Sequence, residues 1–251
     1  MKKDLYSLRP GNFGAFIFTI MDVPVFFVEN LSPHDILTLN EDTSKHVVQV
    51  LRMKPSERLQ LTNGAGSILT AEVLDDHKKK CTVKIIERKV VAKKKKEICI
   101  AISLLKNGSR FEWFLEKATE IGITEFIPLL CERTEKQHFR FDRMKQILIS
   151  AMIQSKQAWL PVLHEPTVFS KVINSSAYQT KLIAHCEDET KQSIKNFLEG
   201  GSLQILIGPE GDFSTNEISL ALQNNYHPIA LGDTRLRTET AGVVVATLFC
   251  I

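Results

Sequence analysis

Long apolar runs are missing from this 251-residue chain: none approaches the roughly 18 residues that a membrane-spanning helix needs, so no membrane partner is expected. Cysteine is sparse and badly placed for cross-linking. Cys81, Cys99, Cys131, Cys186 and Cys250 are odd in number and far apart, and no C-x-x-C pair occurs. That excludes a full disulfide framework, argues against a zinc site, and points to reduced thiols in the cytoplasm. The seven histidines also lack metal-like pair spacing, so no metal is expected. No repeat and no low-complexity tract appears apart from lysine runs, which excludes a solenoid. Acidic residues are nearly absent from one stretch: residues 78–96 hold ten Lys or Arg against Glu87 alone, a local charge of +9. The whole chain carries only +3, which leaves −6 on the remainder. Such a basic footprint is either a phosphate-binding surface or a solvated edge with a charged linker.

What is present reads as an ordinary globular chain, large enough for one big domain or two smaller ones. Residues 1–20 imitate the charged and apolar parts of a signal peptide without a cleavage site. The expectation is an upstream extension ahead of Met21. Residues 23–88 read as a small β domain with one helix. A strand at 25–28 precedes a helix through His46 and Leu51, capped by Asp42 or Thr43. Strands at 59–62 and 67–73 flank an Asn63-Gly64-Ala65-Gly66 turn, and a strand at 81–88 puts Lys84 and Arg88 on one face. Residues 91–96 form a charged connector. Beyond it, strands at 97–105, 123–130 and 181–185 alternate with helices at 140–157 and 190–198 and one opened by a Ser109/Glu112 capping box and closed by Gly122. Such alternation means a parallel sheet.

The most informative stretch is the last. Residues 203–207 form a compact apolar run that ends at Gly208-Pro209, as a buried parallel strand would. Gly208 and Gly211 frame Pro209-Glu210, so the backbone can turn sharply there. Ser214 and Glu217 form a capping box that opens the next helix. The second unit repeats the logic: Ile229-Ala230-Leu231, then Gly232, a polar loop, and an apolar helix over 241–249. Two such turns can line one crevice beyond the carboxyl edge of a sheet, where open α/β folds bind ligands.

These loops carry a resemblance. Ile207-Gly208-Pro209-Glu210-Gly211-Asp212-Phe213-Ser214, and Leu231-Gly232 followed by Leu236-Arg237-Thr238-Glu239-Thr240-Ala241, resemble the two signature loops of the 16S ribosomal RNA (uracil-N3)-methyltransferase family of the SPOUT superfamily. The ordered pair is far more specific than a lone G-P-E-G. Lys117, Glu120, Ile121 and Gly122 resemble the family's K-x-x-E-L-G, Gln154-Ser155 with Pro161 its Q-S-x-R…P element, and His46 with Val50-Leu51-Arg52 its H-x-x-x-V-L-R. Asp212 stands where the family usually has a second glycine, Ser150 where it has glutamate, Gln157 where it has arginine, and Ser56-Glu57 in place of Gly-Asp.

The resemblance implies an α/β fold in which a SPOUT-type knotted parallel-sheet methyltransferase domain over residues 93–251 follows a PUA-like β-barrel RNA-binding domain over 21–92. Residues 231–251 would thread through a preceding loop, and the final helix would pack against a second copy in a homodimer. The implied cofactor is S-adenosyl-L-methionine (SAM), held by His185, Ile207, Gly208, Pro209, Glu210, Gly211, Leu231, Gly232, Leu236, Arg237 and Thr240. The implied substrate is 16S ribosomal RNA or the small ribosomal subunit. RNA contacts would come from His46, Arg52, Lys84, Arg88, Lys93, Lys94, Lys95, Lys96 and Arg133.

Methyl transfer from a sulfonium requires alignment and charge management rather than a covalent nucleophile. Uracil N3 becomes a good nucleophile as its proton leaves. Arg237 is placed to stabilise charge on the flanking carbonyls, and Glu239 to orient that arginine or take the proton. Each has a plainer reading. Glu239 suits the first turn of any helix, His185 suits a core, and His46 and Arg52 suit helix ends. Two functional alternatives stay open at this point: an inert RNA-binding assembly factor, and a SPOUT methyltransferase acting on another RNA position.

Overall fold

The computed structural model describes residues 23–31, 33–187 and 190–251. The expected upstream extension at 1–20 lies outside them. The first part is a five-stranded sheet built from β1 (Val25–Phe27), β2 (Ile36–Thr38), β3 (Arg58–Thr62), β4 (Ser67–Asp75) and β5 (Thr82–Val90), in the order β1-β3-β4-β5-β2. β1 pairs parallel to β3 and the other ladders are antiparallel. Leu59, Leu61, Ala71, Val73, Val83 and Val47 are buried together beneath it, as period-two alternation along β3 to β5 requires. Helix α1 (Glu41–Lys45) is capped by Asn40, whose Oδ1 accepts from Thr43 N, rather than by Asp42 or Thr43. It continues as a π-helical turn over His46–Val50.

A bulge in β5 overturns one expectation. Ile85 pairs with Ala71 and Glu87 with Thr70, so Ile86 is an extra residue. The bulge reverses the alternation beyond it. Lys84 stands opposite Glu72 on the outer face, whereas Arg88 stands opposite Leu69, so the two cations do not share a face. Arg88 instead donates to the carbonyls of Pro33 and His34.

After a connector at 91–97 the chain forms β6 (Ile98–Ser103), α2 (Gly108–Ile121), β7 (Glu125–Leu130), α3 (Phe141–Gln154), β8 (Val162–Leu163), β9 (Thr167–Val168), α4 (Phe169–Ser175), β10 (Thr180–Ala184), β11 (Gln192–Ser193), β12 (Leu203–Ile207), α5 (Thr215–Gln223), β13 (His227–Ala230) and α6 (Thr238–Cys250). The strands make a parallel sheet in the order β11-β13-β10-β12-β6-β7-β8, with β9 also on β7. Every residue of β6 and β12 is buried, which explains why both read as unbroken apolar runs. From β13, near one edge, the chain crosses the carboxyl ends of β10 and β12 to lay α6 on α2 and β6. Gly242 allows that close approach: a Cβ there would fall 2.3 Å from the Phe114 ring.

Two further expectations fail for tertiary reasons. Residues 190–198 are not an α-helix: Gln192–Ser193 pair with β13, and only the 3-10 turn Ile194–Phe197 follows. The Ser109/Glu112 capping box does not form. Asn107 caps α2 by accepting from Ser109 N, and Glu112 takes a two-pronged ion pair with Arg143 at 2.5 and 2.7 Å. Gly122 ends α2 at φ 113°, as expected. Gln157, in the place of the family arginine, donates through Nε2 to the carbonyls of Thr119 and Glu120 at that helix end.

The two sheets dock through a loop on each side. Gly66 N donates to Ala158 O, Leu160 N to Gly64 O (both 2.8 Å), and Trp159 Nε1 to Val91 O at 2.9 Å. Gly66 has φ 87°, and a Cβ on it would meet the Trp159 ring at 2.5 Å and Val91 O at 2.9 Å. Both the backbone and the neighbours therefore demand glycine. Gly66→Val is expected to lower unfolding free energy by about 2 kcal/mol or more. Urea denaturation measures this, and an unchanged midpoint would mean that the docking yields freely.

Candidate active site

Beyond the carboxyl ends of β10, β12 and β13 lies a cavity of about 770 Å³. Its walls are His185 and Cys186 after β10, residues 207–210 and Asp212 after β12, residues 229–237 around the end of β13, and Thr238, Glu239 and Ala241 of α6. Arg110 of α2 and Lys191 complete it. The size falls within the range of about 300–1,000 Å³ typical of small-ligand sites.

The turn after β12 is fixed from several directions. Asp212 N donates to Pro209 O, and Asp212 takes a left-handed φ of 64°. Aspartate accepts that region better than most residues, so the turn survives the loss of the family glycine. Gly208 is confined by its own loop, since a Cβ would lie 3.2 Å from the Phe213 ring and from Phe213 N. Arg133 Nη1 donates to the carbonyls of Gly211 and Phe213, at 2.8 and 3.2 Å. Glu210 Oε1 accepts from Lys106 N, and Thr238 Oγ1 donates to Gly208 O. The Ser214/Glu217 capping box forms in full, and the buried Glu217 carboxylate also accepts from Glu132 N at 2.9 Å.

The second loop behaves differently. Gly232 sits at φ 150°, and a Cβ there would meet nothing within 4 Å, because it faces open space. Its glycine is required by backbone conformation rather than by crowding. The apolar sides of Ile207, Leu231 and Leu236, with carbonyl and N–H groups of two irregular loops between them, suit a flat heterocycle joined to polar groups. That donor set fits a nucleoside cofactor such as SAM.

The cavity brings together His185, Ile207, Gly208, Pro209, Glu210, Leu231, Gly232, Leu236, Arg237 and Glu239 from among the sequence candidates. It leaves out two. Gly211 packs on the Arg133 side chain, and Thr240 lies off the lining face of α6, at about 200° from Thr238 on a 3.6-residue helix. His185 and Glu239 are buried, while Arg237 is exposed at the mouth. Glu239 is not turned to Arg237: its ion pair is with Arg110 Nε at 3.7 Å. Arg110, Thr238 and Asp212 went unrecognised as lining residues. Asp212 and Thr238 both stand inside the two quoted motifs, Asp212 as a departure from one of them, whereas Arg110 carried no such signal.

The basic candidates divide by what they touch. Lys84, Lys94 and Lys95 are exposed, and Arg52 is exposed at φ 56°. His46 stands edge-on to Phe26, 5.5 Å between ring centres. Lys93 pairs with Glu97, while Lys96 donates to Leu198 O and lies over the Phe249 ring. Arg133 braces the turn described above. Among the described residues no cluster of three or more His, Cys, Asp or Glu is arranged to hold a metal, and no helix is long and apolar enough to cross a membrane.

A family model described as RNA methyltransferase domain matches residues 92–250, and one described as RNA methyltransferase PUA domain matches residues 39–86. The ribosomal RNA small subunit methyltransferase E of Synechocystis is 30% identical over 219 residues, 83% of this chain and 70% of the relative. A probable rRNA-methyltransferase from Porphyromonas gingivalis is structurally similar with a TM-score of 0.83 at 35% identity, over 89% of this chain and 95% of that one. A ribosomal RNA small subunit methyltransferase E from Neisseria gonorrhoeae, solved bound to S-adenosyl methionine, gives 0.80 at 26% identity over 89% and 95%.

Cys186 offers a probe of the cavity. It is exposed at the wall, whereas burial pushes the thiol of Cys81 up to about 11 and those of Cys99 and Cys131 up to about 12. At about pH 8 a thiol reagent should consume Cys186 before these three, and added SAM should slow that reaction several-fold. A rate at Cys186 indifferent to SAM would put the cofactor elsewhere.

Proposed function

Belonging to the ribosomal RNA small subunit methyltransferase E family, this chain is a SAM-dependent RNA methyltransferase of SPOUT type, and we propose that it methylates N3 of a uridine in 16S ribosomal RNA. The observation that carries the reading is one cavity walled by both signature loops, each kept in an unusual backbone conformation. Residues 93–251 do the chemistry, and residues 21–92 are a PUA-like RNA-binding part. The substrate is the RNA or the small subunit, in the cytoplasm.

When bound, SAM supplies a methyl group activated by its sulfonium. Ile207, Leu231 and Leu236 offer apolar surface to the adenine, and the backbone of the two loops offers hydrogen bonds to its edges and to the ribose and methionine parts. The target uracil must leave its stack to reach the cavity. Exposed at the mouth, Arg237 meets the uracil carbonyls and stabilises negative charge as N3 loses its proton. Glu239 takes that proton, and Arg110 keeps its carboxylate in place. The expected result with SAM and small subunits is N3-methyluridine on nucleoside analysis. Arg237→Ala and Glu239→Gln should each cut kcat by about 100-fold while leaving SAM affinity within a few-fold. A different methylated nucleoside from the wild-type reaction would rule out the uracil N3 assignment.

A second copy completes the assembly. Helix α6 buries Val245, Ala246 and Phe249 in the chain's own core, so a charge at Val245 would test folding rather than association. Val244 is only partly covered and stands one turn from the exposed Thr247, on the outer side of a helix that also borders the cavity, while Leu248 packs in part on the chain's own core. Val244→Glu is expected to give a folded monomer with methyl transfer largely lost. A folded, fully active monomer in sedimentation would sink the homodimer reading.

A further inference from the structure

Asp212 occupies the single left-handed position of the 208–213 turn; Gly208 and Gly211 do not enter that region. A carboxylate at a position where glycine is easier needs a reason. Its two oxygens supply one. Oδ1 accepts from the adjacent Phe213 N at 2.8 Å, and Oδ2 accepts from Cys186 N at 2.7 Å, across to the segment that follows β10. β10 and β12 run side by side as far as the Ala184–Ile207 pair, and no ladder joins the two segments past that point. The chain after β10 supplies His185 and Cys186 to one wall of the cavity, and the chain after β12 supplies Gly208 to Glu210 to the other. A charged acceptor bonded to a backbone N–H is among the stronger hydrogen bonds available to hold them. Farther out, Thr215 Oγ1 donates to Glu187 Oε1 at 3.1 Å, so removing the Asp212 carboxylate loosens the walls at the cavity and not the whole segment.

We infer that Asp212 is a positioning residue that sets the separation of the two cavity walls and through it the affinity for SAM; this rests on the cavity being the SAM site. Glycine at 212 removes the bridge and relieves the left-handed strain together. That opposition separates a positioning role from a structural one. Asp212→Gly should weaken SAM binding by calorimetry about tenfold, raise KM for SAM in step, and leave kcat within twofold. Its Tm should stay level or rise, and hydrogen exchange at the Cys186 amide should accelerate. Asp212→Asn, which keeps one acceptor oxygen, should fall between. Equal affinity in Asp212→Gly, or a loss of affinity matched by a lower Tm, would overturn the inference. Failure of the parent protein to bind SAM would instead remove the reading of the cavity, and this inference with it.

Discussion

A turn at the carboxyl edge of a parallel sheet has no ladder to satisfy its backbone, yet each polar group there must find a partner. Everything about the cavity depends on how that is done for residues 208–213. Partners arrive from far along the chain: the Lys106 N–H, the Arg133 guanidinium, the Cys186 N–H and the Thr238 hydroxyl. Glu217 fastens the helix behind the turn to Glu132. None of these is local in sequence. The turn's own bonds, from Asp212 N to Pro209 O and from Phe213 N to Asp212 Oδ1, are thus joined by others from the ends of β6, β7 and β10 and from α6, and the pocket rests on the finished domain as well as on its motif.

Local signals were legible in the sequence and long-range ones were not. The apolar runs at 98–103 and 203–207, the hairpin around Gly64 and Gly66, the Gly122 stop and the Ser214/Glu217 box all depend on neighbours within a few residues. Two identical-looking capping boxes had opposite outcomes. Glu217 turned back to its own helix start, while Glu112 found Arg143 thirty-one residues away and left the capping to Asn107. Pattern alone does not contain that competition. The two- and three-residue strands β2, β8, β9 and β11 carry too few residues for a period of two to repeat, and of the strands this short only β1, set in the apolar run at 25–28, could be read.

The site divides in the same way. The loops themselves could be read because glycines at turns are sequence-local facts. Which basic residues face solvent could not: Lys95 and Lys96 are adjacent, yet one is exposed and the other caps Leu198 and covers Phe249. The bulge at Ile86 likewise changed the side on which Arg88 stands without altering composition or charge. The pairing of Glu239 with Arg110 joins the last helix to the first helix of its domain, and the crossing chain that brings them together leaves no trace in spacing.

Three hydrogen bonds, Gly66 N to Ala158 O, Leu160 N to Gly64 O and Trp159 Nε1 to Val91 O, set the small sheet and the large one like the two jaws of a calliper. A ligand long enough to touch both jaws meets them at a preset gap. Grip gained on the distant jaw is then not dissipated in slack between the parts; it is delivered as alignment at the other. A ligand that spans both sheets is then held to a shape as well as to its contacts: one that does not match the gap forgoes one set of contacts or must break the Gly66, Leu160 and Trp159 hydrogen bonds.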